Sequence, residues 1–301
     1  MQWVHDKWLI LRQLLTWGIL ILIYGTIFYV MFAILPPSLS NIGLLLIALL
    51  LFIQYFFSGN LILTSTGAHI IEERDDPLLY NSIKRLAAEA DLPMPQVAII
   101  PSPMPNAFAT GRNHNHAVVA VTTGLRNTLA RDEIDAVLAH ELSHIKNYDM
   151  ATMTITAFLA AVASSFVLSA LIASLQRHKD IADVLIALLC LIAAVILVII
   201  TFLLTRLISR YRELAADRGS ALITRNPDAL IRALTKISNG VSRTTTTAGI
   251  PVTGAANLYY IIPAAQGLAS FSILSTHPSL KKRIKNLEKV RDELRTGKIT
   301  P

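Results

Sequence analysis

The chain has 301 residues, of which 53% are hydrophobic and only 16% are charged. Soluble globular domains carry about a quarter charged residues, so this composition argues against a purely soluble protein. The formal net charge of +7 is concentrated beside long apolar segments and in the basic run 281–285, where attraction to anionic lipid explains it. We therefore predict a membrane protein with the lipid bilayer, and no nucleic acid, as a partner.

Three stretches contain no charged residue: 13–71, 150–176 and 184–205. A helix needs roughly 20 apolar residues to cross the hydrocarbon core of a bilayer. The first stretch is long enough for two such helices, separated at Pro36-Pro37, and each of the other two is long enough for one. We therefore predict four transmembrane helices at about residues 14–35, 42–58, 151–175 and 184–208.

The positions of Lys and Arg predict the orientation, because loops on the cytoplasmic side are rich in them. Lys7 and Arg12 precede the first predicted helix, and further basic residues lie between the second and third helices and after the fourth. Only Arg177 and Lys179, between the third and fourth helices, oppose this bias. We predict a multi-pass protein of the cell (inner) membrane with both termini and the large polar segments on the cytoplasmic side. Its first helix is too long for a secretory signal and is predicted to be an uncleaved anchor.

The first large polar segment follows the second predicted span. Its sequence predicts a helix over residues 78–90, which ends at Asp91-Leu92-Pro93. Short β-like runs follow, separated by segments rich in Pro, Gly and Asn, at residues 96–100, 106–110 and 117–122. This pattern predicts a small meander or hairpin that packs against helices.

Residues 140–144 read His-Glu-Leu-Ser-His, within a segment whose apolar spacing predicts a helix over 128–142. Positions i and i+4 share one face of a helix, so His140 and His144 present two imidazoles to one point. In this motif the two histidines bind zinc, and the glutamate between them is the general base of a metalloprotease. The sequence predicts His140 and His144 as metal ligands and Glu141 as that base.

A catalytic zinc ion usually has three protein ligands and leaves a fourth position for water. Glu213 and Asp217 follow the fourth predicted span with the same i, i+4 spacing. We predict Glu213 as the third ligand, and Asp217 as the carboxylate that holds a ligand histidine in its metal-binding tautomer. Two predicted spans separate His144 from Glu213, so both residues return to the same side of the membrane. The site should therefore lie at the membrane surface.

After the fourth span the chain is predicted to be mostly helical. Residues 238–257 form the exception, because they are rich in Thr, Gly and Ala and carry a single charge, Arg243. This composition predicts a mobile loop.

The motif at residues 140–144, the segment Arg212-Glu213-Leu214-Ala215-Ala216-Asp217 and the segment Ser275-Thr276-His277-Pro278 together resemble the HtpX family of membrane zinc proteases, which are relatives of the CAAX prenyl endopeptidases. The resemblance extends over nearly the whole chain. It implies one zinc ion per subunit, and polypeptide substrates that include misfolded membrane proteins. It also implies a role in the stress response.

The resemblance implies three further residues at the site. Residues 105–111 correspond to an edge strand on the substrate side, where Asn106 could contact the peptide; an Asx turn after Pro105 is the alternative. His277 would donate a hydrogen bond to the oxyanion, and the alternative is a histidine that only precedes a helix. Arg283 would orient a carboxylate or carbonyl of the substrate site, and the alternative is one more cytoplasmic basic residue.

We therefore predict an α+β membrane protein with four transmembrane helices and a gluzincin-like, mainly helical catalytic domain that carries a small β-sheet. Two alternatives stay open at this point: a CAAX-type processing endopeptidase, and a zinc-binding membrane scaffold without hydrolytic activity. The intact Glu141 argues against the scaffold, since a binding site needs no base beside its ligands. The predicted division is two N-terminal membrane helices (1–65), the first catalytic part (66–150), a membrane hairpin (151–208) and the second catalytic part (209–301).

Overall fold

The computed structural model describes residues 7–34, 37–176, 181–248 and 277–297. These residues are mainly helical and include one small sheet, as the sequence predicts. In chain order the helices and strands are α1 (Lys7–Ile34), α2 (Pro37–Thr66), β1 (His69–Ile71), α3 (Pro77–Glu89), β2 (Gln96–Ile100), β3 (Ala107–Gly111), β4 (Ala117–Thr122), α4 (Thr123–Thr128), α5 (Arg131–Lys146), α6 (Asp149–Gln176), α7 (Ile181–Thr224), α8 (Pro227–Ala248) and α9 (Leu280–Thr296).

The four predicted spans fall on the long helices α1, α2, α6 and α7. Among the described residues, α7 is the one helix that is long and apolar enough to cross a membrane unbroken, with 44 residues and a mean hydropathy of 3.4 in its most apolar part. A second span results if Ala48–Phe57 and Gly59–Thr66 of α2, which meet at 49°, count as one. Spans at α1 and α6 stay predictions.

A buried tyrosine joins three of these helices. The Tyr24 hydroxyl of α1 donates a hydrogen bond to the Leu159 carbonyl of α6 at 2.6 Å and lies 3.0 Å from the Thr201 hydroxyl of α7. Leu20, Ala163 and other apolar side chains of the same three helices surround the tyrosine. α1 therefore packs against the hairpin formed by α6 and α7.

The sheet has the strand order β1-β2-β4-β3. β2 and β4 pair in parallel, whereas β1 and β3 are antiparallel edge strands. The predicted hairpin is confirmed, since β3 and β4 are consecutive and pair in antiparallel fashion. A meander of all three predicted strands is wrong, because β2 pairs with β4 and not with β3. The reason is burial: all six residues of β4 are buried, as a central strand requires, and the polar turn before β4 brings it back beside β3. No feature of the sequence predicted the three-residue strand β1.

Backbone hydrogen bonds determine which edge of β3 is open. The Asn106 carbonyl accepts a hydrogen bond from the Thr122 amide at 2.9 Å. Because the pairing direction alternates along an antiparallel strand, Phe108 and Thr110 also face β4. Ala107 and Ala109 then direct their backbone groups away from the sheet. Among the described residues no strand pairs with this edge of β3, which we call the open edge. An extended peptide can add to an edge of this kind.

The helix predicted over residues 128–142 is confirmed as α5, which begins three residues later, at Arg131, and continues to Lys146. The short helix α4 precedes it and ends at Thr128. At the start of α5 the Glu133 carboxylate accepts a hydrogen bond from the Ala130 amide at 2.8 Å. It also pairs with Lys236 of α8 at 2.7 Å. Glu133 thus fixes both the start of α5 and the contact of α5 with α8.

We expect Glu133→Gln to lower the free energy of unfolding by about 2 kcal/mol at neutral pH, because it removes a charged hydrogen-bond partner from a buried position. Burial raises the pKa of Glu133, but Lys236 and the Ala130 amide outweigh burial and leave this pKa below its ordinary value. A carboxyl whose pKa falls on folding stabilises the fold above its unfolded pKa, about 4.3, and loses that effect as the pH falls through the folded pKa.

Thermal unfolding in detergent at pH 7 and below pH 4 measures this difference. The difference in free energy of unfolding between wild type and Glu133→Gln should be smaller in acid than at pH 7. A larger difference in acid would contradict the stabilising role of the Glu133 carboxylate. Asp132→Asn is the matched control, since Asp132 makes an exposed ion pair with Arg232 on the same two helices.

The loop predicted over residues 238–257 is helical as far as Ala248, so that part of the prediction is wrong. α8 buries one face, which carries Leu230, Leu234 and Ile237, and this packing outweighs the modest helix propensity of the following Thr residues. Residues 249–257 lie outside the described part of the chain.

One hydrophobic core joins α3, β4, α5, the C-terminal half of α7, α8 and α9. Leu138 and Leu142 of α5 are fully buried in this core, together with Leu234 of α8 and Leu287 of α9. The Ser220 hydroxyl of α7 donates to the Ala136 carbonyl of α5 at 2.6 Å. The core thus fixes α5 and α7 side by side, which brings their histidines and acidic residues together.

Candidate metal centre

Helix α5 carries His140 and His144 on one face, one turn apart. Their Nε2 atoms lie 3.2 Å from each other. The His140 side chain is 2% exposed and that of His144 is 12% exposed. The two imidazoles therefore point to one spot, and His144 is the more exposed of the two.

Helix α7 brings Glu213 to the same spot. Its two carboxylate oxygens each lie 3.6 Å from the Nε2 atom of one histidine, Oε2 from His140 and Oε1 from His144. One ligand atom from each of the three side chains lies within 4.8 Å of the others. Two imidazoles and one carboxylate are a donor set that catalytic zinc sites use, so these residues fit a zinc ion.

Asp217 and Arg283 lie behind the ligands. Asp217 Oδ1 is 3.2 Å from His140 Nδ1, so the other ring nitrogen of His140 points toward Glu213. Arg283 of α9 donates two hydrogen bonds to Asp217, at 2.5 and 2.9 Å, and its third guanidinium nitrogen lies 3.3 Å from Glu213. Arg283 is 1% exposed. This burial favours orientation of the two carboxylates over direct contact with a substrate.

The charges of these groups support one another. Burial raises the pKa of the Glu213 carboxyl, but His277, His140 and Arg283 outweigh burial and hold this pKa well below its ordinary value. Burial likewise raises the pKa of Asp217, and Arg283 brings it below the ordinary value on balance. Burial lowers the pKa of His140, yet its contacts with Asp217 and Glu213 raise that pKa to about 9. A metal ion must therefore displace a proton from His140, so metal binding should weaken in acid.

Glu141 connects the histidine helix to the sheet edge. The Ala109 amide of β3 donates a hydrogen bond to Glu141 Oε2 at 2.9 Å. Glu141 is buried, and burial raises the pKa of its carboxyl although both histidines oppose the rise. A carboxylate with a raised pKa is a better proton acceptor near neutral pH. The base predicted from sequence therefore lies directly at the open edge of β3.

The other two predicted site residues lie at different distances from the ligands. His277 Nδ1 is 3.2 Å from Glu213 Oε2, so this ring contacts the predicted third ligand. Asn106 is buried just before β3. Its backbone N–H donates a hydrogen bond to the Thr122 hydroxyl at 2.8 Å, and its backbone carbonyl accepts one from the Thr122 backbone N–H. The backbone of Asn106 therefore anchors the edge strand. Roles for His277 at the oxyanion and for the Asn106 side chain stay predictions.

Sequence reasoning missed two buried residues beside His144. Asp149 Oδ2 lies 2.6 Å from His144 Nδ1, and Arg212 Nε lies 2.7 Å from Asp149 Oδ1. Asp149 follows His144 by five positions, which is not the spacing of one helix face. The available signal was the presence of an acidic residue at the start of a helix otherwise predicted to lie in the membrane.

Comparisons with known proteins identify the family of this chain. Residues 73–291 match the family model of peptidase family M48. Protease HtpX homolog 2 of Methanosarcina mazei is 44% identical over 97% of this chain and 99% of its own length. Protease HtpX homolog of Moorella thermoacetica is 41% identical over 96% of each chain.

Among solved structures, the crystal structure of S. mikatae Ste24p superposes with a TM-score of 0.56, covering 94% of this chain and 67% of that one, at 20% identity. That likeness concerns the fold. The family match covers residues 73–291, and the two relatives cover nearly the whole chain, so all three include the segments that carry His140, His144 and Glu213. The chain belongs to peptidase family M48, among the HtpX-type proteases.

Proposed function

We propose that this protein is an integral membrane zinc endopeptidase that hydrolyses peptide bonds of misfolded membrane proteins at the cytoplasmic face of the membrane. The observation that carries the proposal is the contact between the base and the sheet edge. Glu141 lies beside the three convergent donor groups and also accepts a hydrogen bond from Ala109. A reactive centre is therefore adjacent to backbone groups that can align an extended chain.

His140, His144 and Glu213 would hold the zinc ion, which lowers the pKa of a water molecule and polarises the scissile carbonyl when bound. Glu141 takes the proton of the attacking water and then delivers it to the leaving amine. The substrate backbone pairs with Ala107 and with the carbonyl of Ala109, while the Ala109 amide keeps its hydrogen bond to Glu141, and this places the scissile bond beside Glu141. His277 donates a hydrogen bond to the oxygen that gains negative charge.

The membrane location of the substrate is proposed from the helices that carry the ligands. Glu213 lies on α7, whose preceding part is the apolar stretch that is long enough to cross a bilayer. His144 lies shortly before α6, the helix that packs along α7. A site in this position is accessible to polypeptides that emerge from the bilayer, as quality control of membrane proteins requires.

We expect single cysteines at Asn147 and Ser209, in a Cys190→Ala background, to react with a membrane-impermeant thiol reagent from the cytosolic side alone. A cysteine at Asp180, between the two helices of the proposed hairpin, should react from the opposite side alone. Labelling of intact cells and of inverted membrane vesicles measures both. Cytosolic labelling at Asp180 would contradict the proposed hairpin and the membrane-surface site, but not the zinc motif.

Cleavage assays test the proposed substrate class. The protein is purified in detergent with a chelator to suppress self-cleavage, supplied with zinc, and given an unfolded membrane protein or a prenylated peptide. The proposal expects cleavage of the unfolded membrane protein. Selective cleavage of the prenylated peptide would favour CAAX-type processing, and cleavage of neither by a zinc-loaded protein would favour a non-hydrolytic scaffold.

A further inference from the structure

A second buried histidine–carboxylate–arginine triad lies beside the ligands, on the side of the membrane hairpin. His144 Nδ1 is 2.6 Å from Asp149 Oδ2, and Asp149 Oδ1 is 2.7 Å from Arg212 Nε. Asp149 is 1% exposed and Arg212 is 8% exposed. Charged groups are rarely buried this deeply unless they are paired, and these pair with each other and with His144.

The arrangement matches the one behind the other histidine. There, Asp217 contacts the Nδ1 atom of His140 and Arg283 binds Asp217. In both triads the carboxylate contacts Nδ1, so the Nε2 atom of each ring is the one that points toward Glu213. A carboxylate on the distal nitrogen fixes the tautomer and the orientation of a metal-binding imidazole and makes it more basic.

A simpler role for Asp149 would be to stabilise the start of α6 by interaction with the helix dipole. The geometry favours a different role, because its two oxygens are directed at His144 and at Arg212. The turn before it explains how Asp149 reaches back. Tyr148 has a φ of 56°, in the left-handed region, and its ring stacks on His114 with centroids 4.0 Å apart. This turn directs Asp149 toward the histidine helix that has just ended.

The two residues come from different helices of the hairpin. Asp149 is the first residue of α6, and Arg212 precedes Glu213 on α7. The contacts of Asp149 and Arg212 therefore connect His144 to the parts of α6 and α7 that lie next to the ligands.

We propose that Asp149 and Arg212 are positioning residues for His144: Asp149 sets the tautomer and orientation of the ring, and Arg212 holds Asp149 in place. This inference rests on the proposed function, because it assigns His144 to a zinc ion. It differs from that function in concerning residues that bind neither metal nor substrate.

Zinc affinity and the visible spectrum of the cobalt-substituted protein test the proposal, in the full chain in detergent. Asp149→Ala should weaken zinc binding by about 10–100-fold in a chelator competition and should change the cobalt absorption bands. Arg212→Leu should act in the same direction with a smaller effect. Arg212→Lys, which keeps a cation near Asp149, should restore part of the affinity.

Asp228→Ala is the matched control, because Asp228 also lies in the first turn of a helix and pairs with an arginine, Arg291 at 2.9 Å, away from the ligands. It should leave zinc affinity and the cobalt spectrum unchanged. If Asp149→Ala does not fold, the isosteric Asp149→Asn replaces it, with a smaller loss of affinity and the same change in the spectrum as the expected result.

His144→Ala, measured in parallel, distinguishes a failure of the positioning role from a failure of the proposed function. Wild-type affinity and an unaltered spectrum in the Asp149 variant, with loss of zinc in His144→Ala, would overturn the positioning role and leave the proposed function intact. Full zinc affinity in His144→Ala would overturn both.

Discussion

Replacing Glu141 with Gln is expected to leave zinc bound and to reduce peptide cleavage by about 10²–10⁴-fold, which is the usual contribution of a general base. The amide of Gln has almost the shape of the carboxylate, so it fits the same buried space. It cannot accept the proton of the attacking water. Zinc content and cleavage of an unfolded membrane protein, measured on the same preparation, report the two effects separately.

A matched control makes this result specific. Glu89→Gln changes an exposed carboxylate of α3 that pairs with Arg85, and it should leave cleavage unchanged. If Glu141→Gln cleaved at nearly the wild-type rate while it retained zinc, Glu141 would not be the base and the proposed mechanism would fail.

The second large effect is expected at Glu213. Glu213→Ala should lose most of its zinc, because two histidines alone form a weak and open site. The loss also leaves Arg283 and His277 without the carboxylate that each now contacts, at 3.3 and 3.2 Å. Cleavage should fall with zinc content. Metal analysis of the purified variant, together with a chelator competition, measures the change.

The matched control is Glu288→Ala, which removes an exposed carboxylate from α9 and should keep full zinc content. Asp217→Asn should fall between the two, with a loss of about 10–100-fold in affinity or activity, as is usual for a residue that orients a ligand. Full zinc content in Glu213→Ala would mean that another group is the third ligand, and His277 would be the first to test.

The grouping of His140, His144, Glu213 and Asp217 could be predicted from sequence because each pair obeys a local rule. His140 and His144 follow helical spacing, and so do Glu213 and Asp217. An even number of predicted membrane crossings then brings the two pairs to the same side. The structure brings all four side chains together through contacts between α5 and α7.

The residues that sequence reasoning missed obey no such rule. Asp149 reaches His144 through a turn in which Tyr148 adopts a left-handed conformation, and neither propensity nor periodicity predicts that conformation at a tyrosine. The contact of Arg212 with Asp149 could not be predicted, because the two residues are far apart in the chain.

The errors in the fold have the same origin. The order of the strands depends on which strand is buried on both sides, and β4 takes the central position although β3 precedes it along the chain. Helix α8 continues through residues with weak helix propensity because its preceding face packs in the core. Tertiary contacts outweighed local preference in both cases.

Zinc removal tests the central claim most directly. The wild-type protein is titrated with a chelator, and bound zinc and cleavage of an unfolded membrane protein are measured in the same samples. We expect one zinc ion per chain, a loss of cleavage in proportion to the zinc removed, and recovery when zinc is restored. Cleavage that persists after all zinc has been removed would contradict a zinc-dependent endopeptidase at His140, His144 and Glu213.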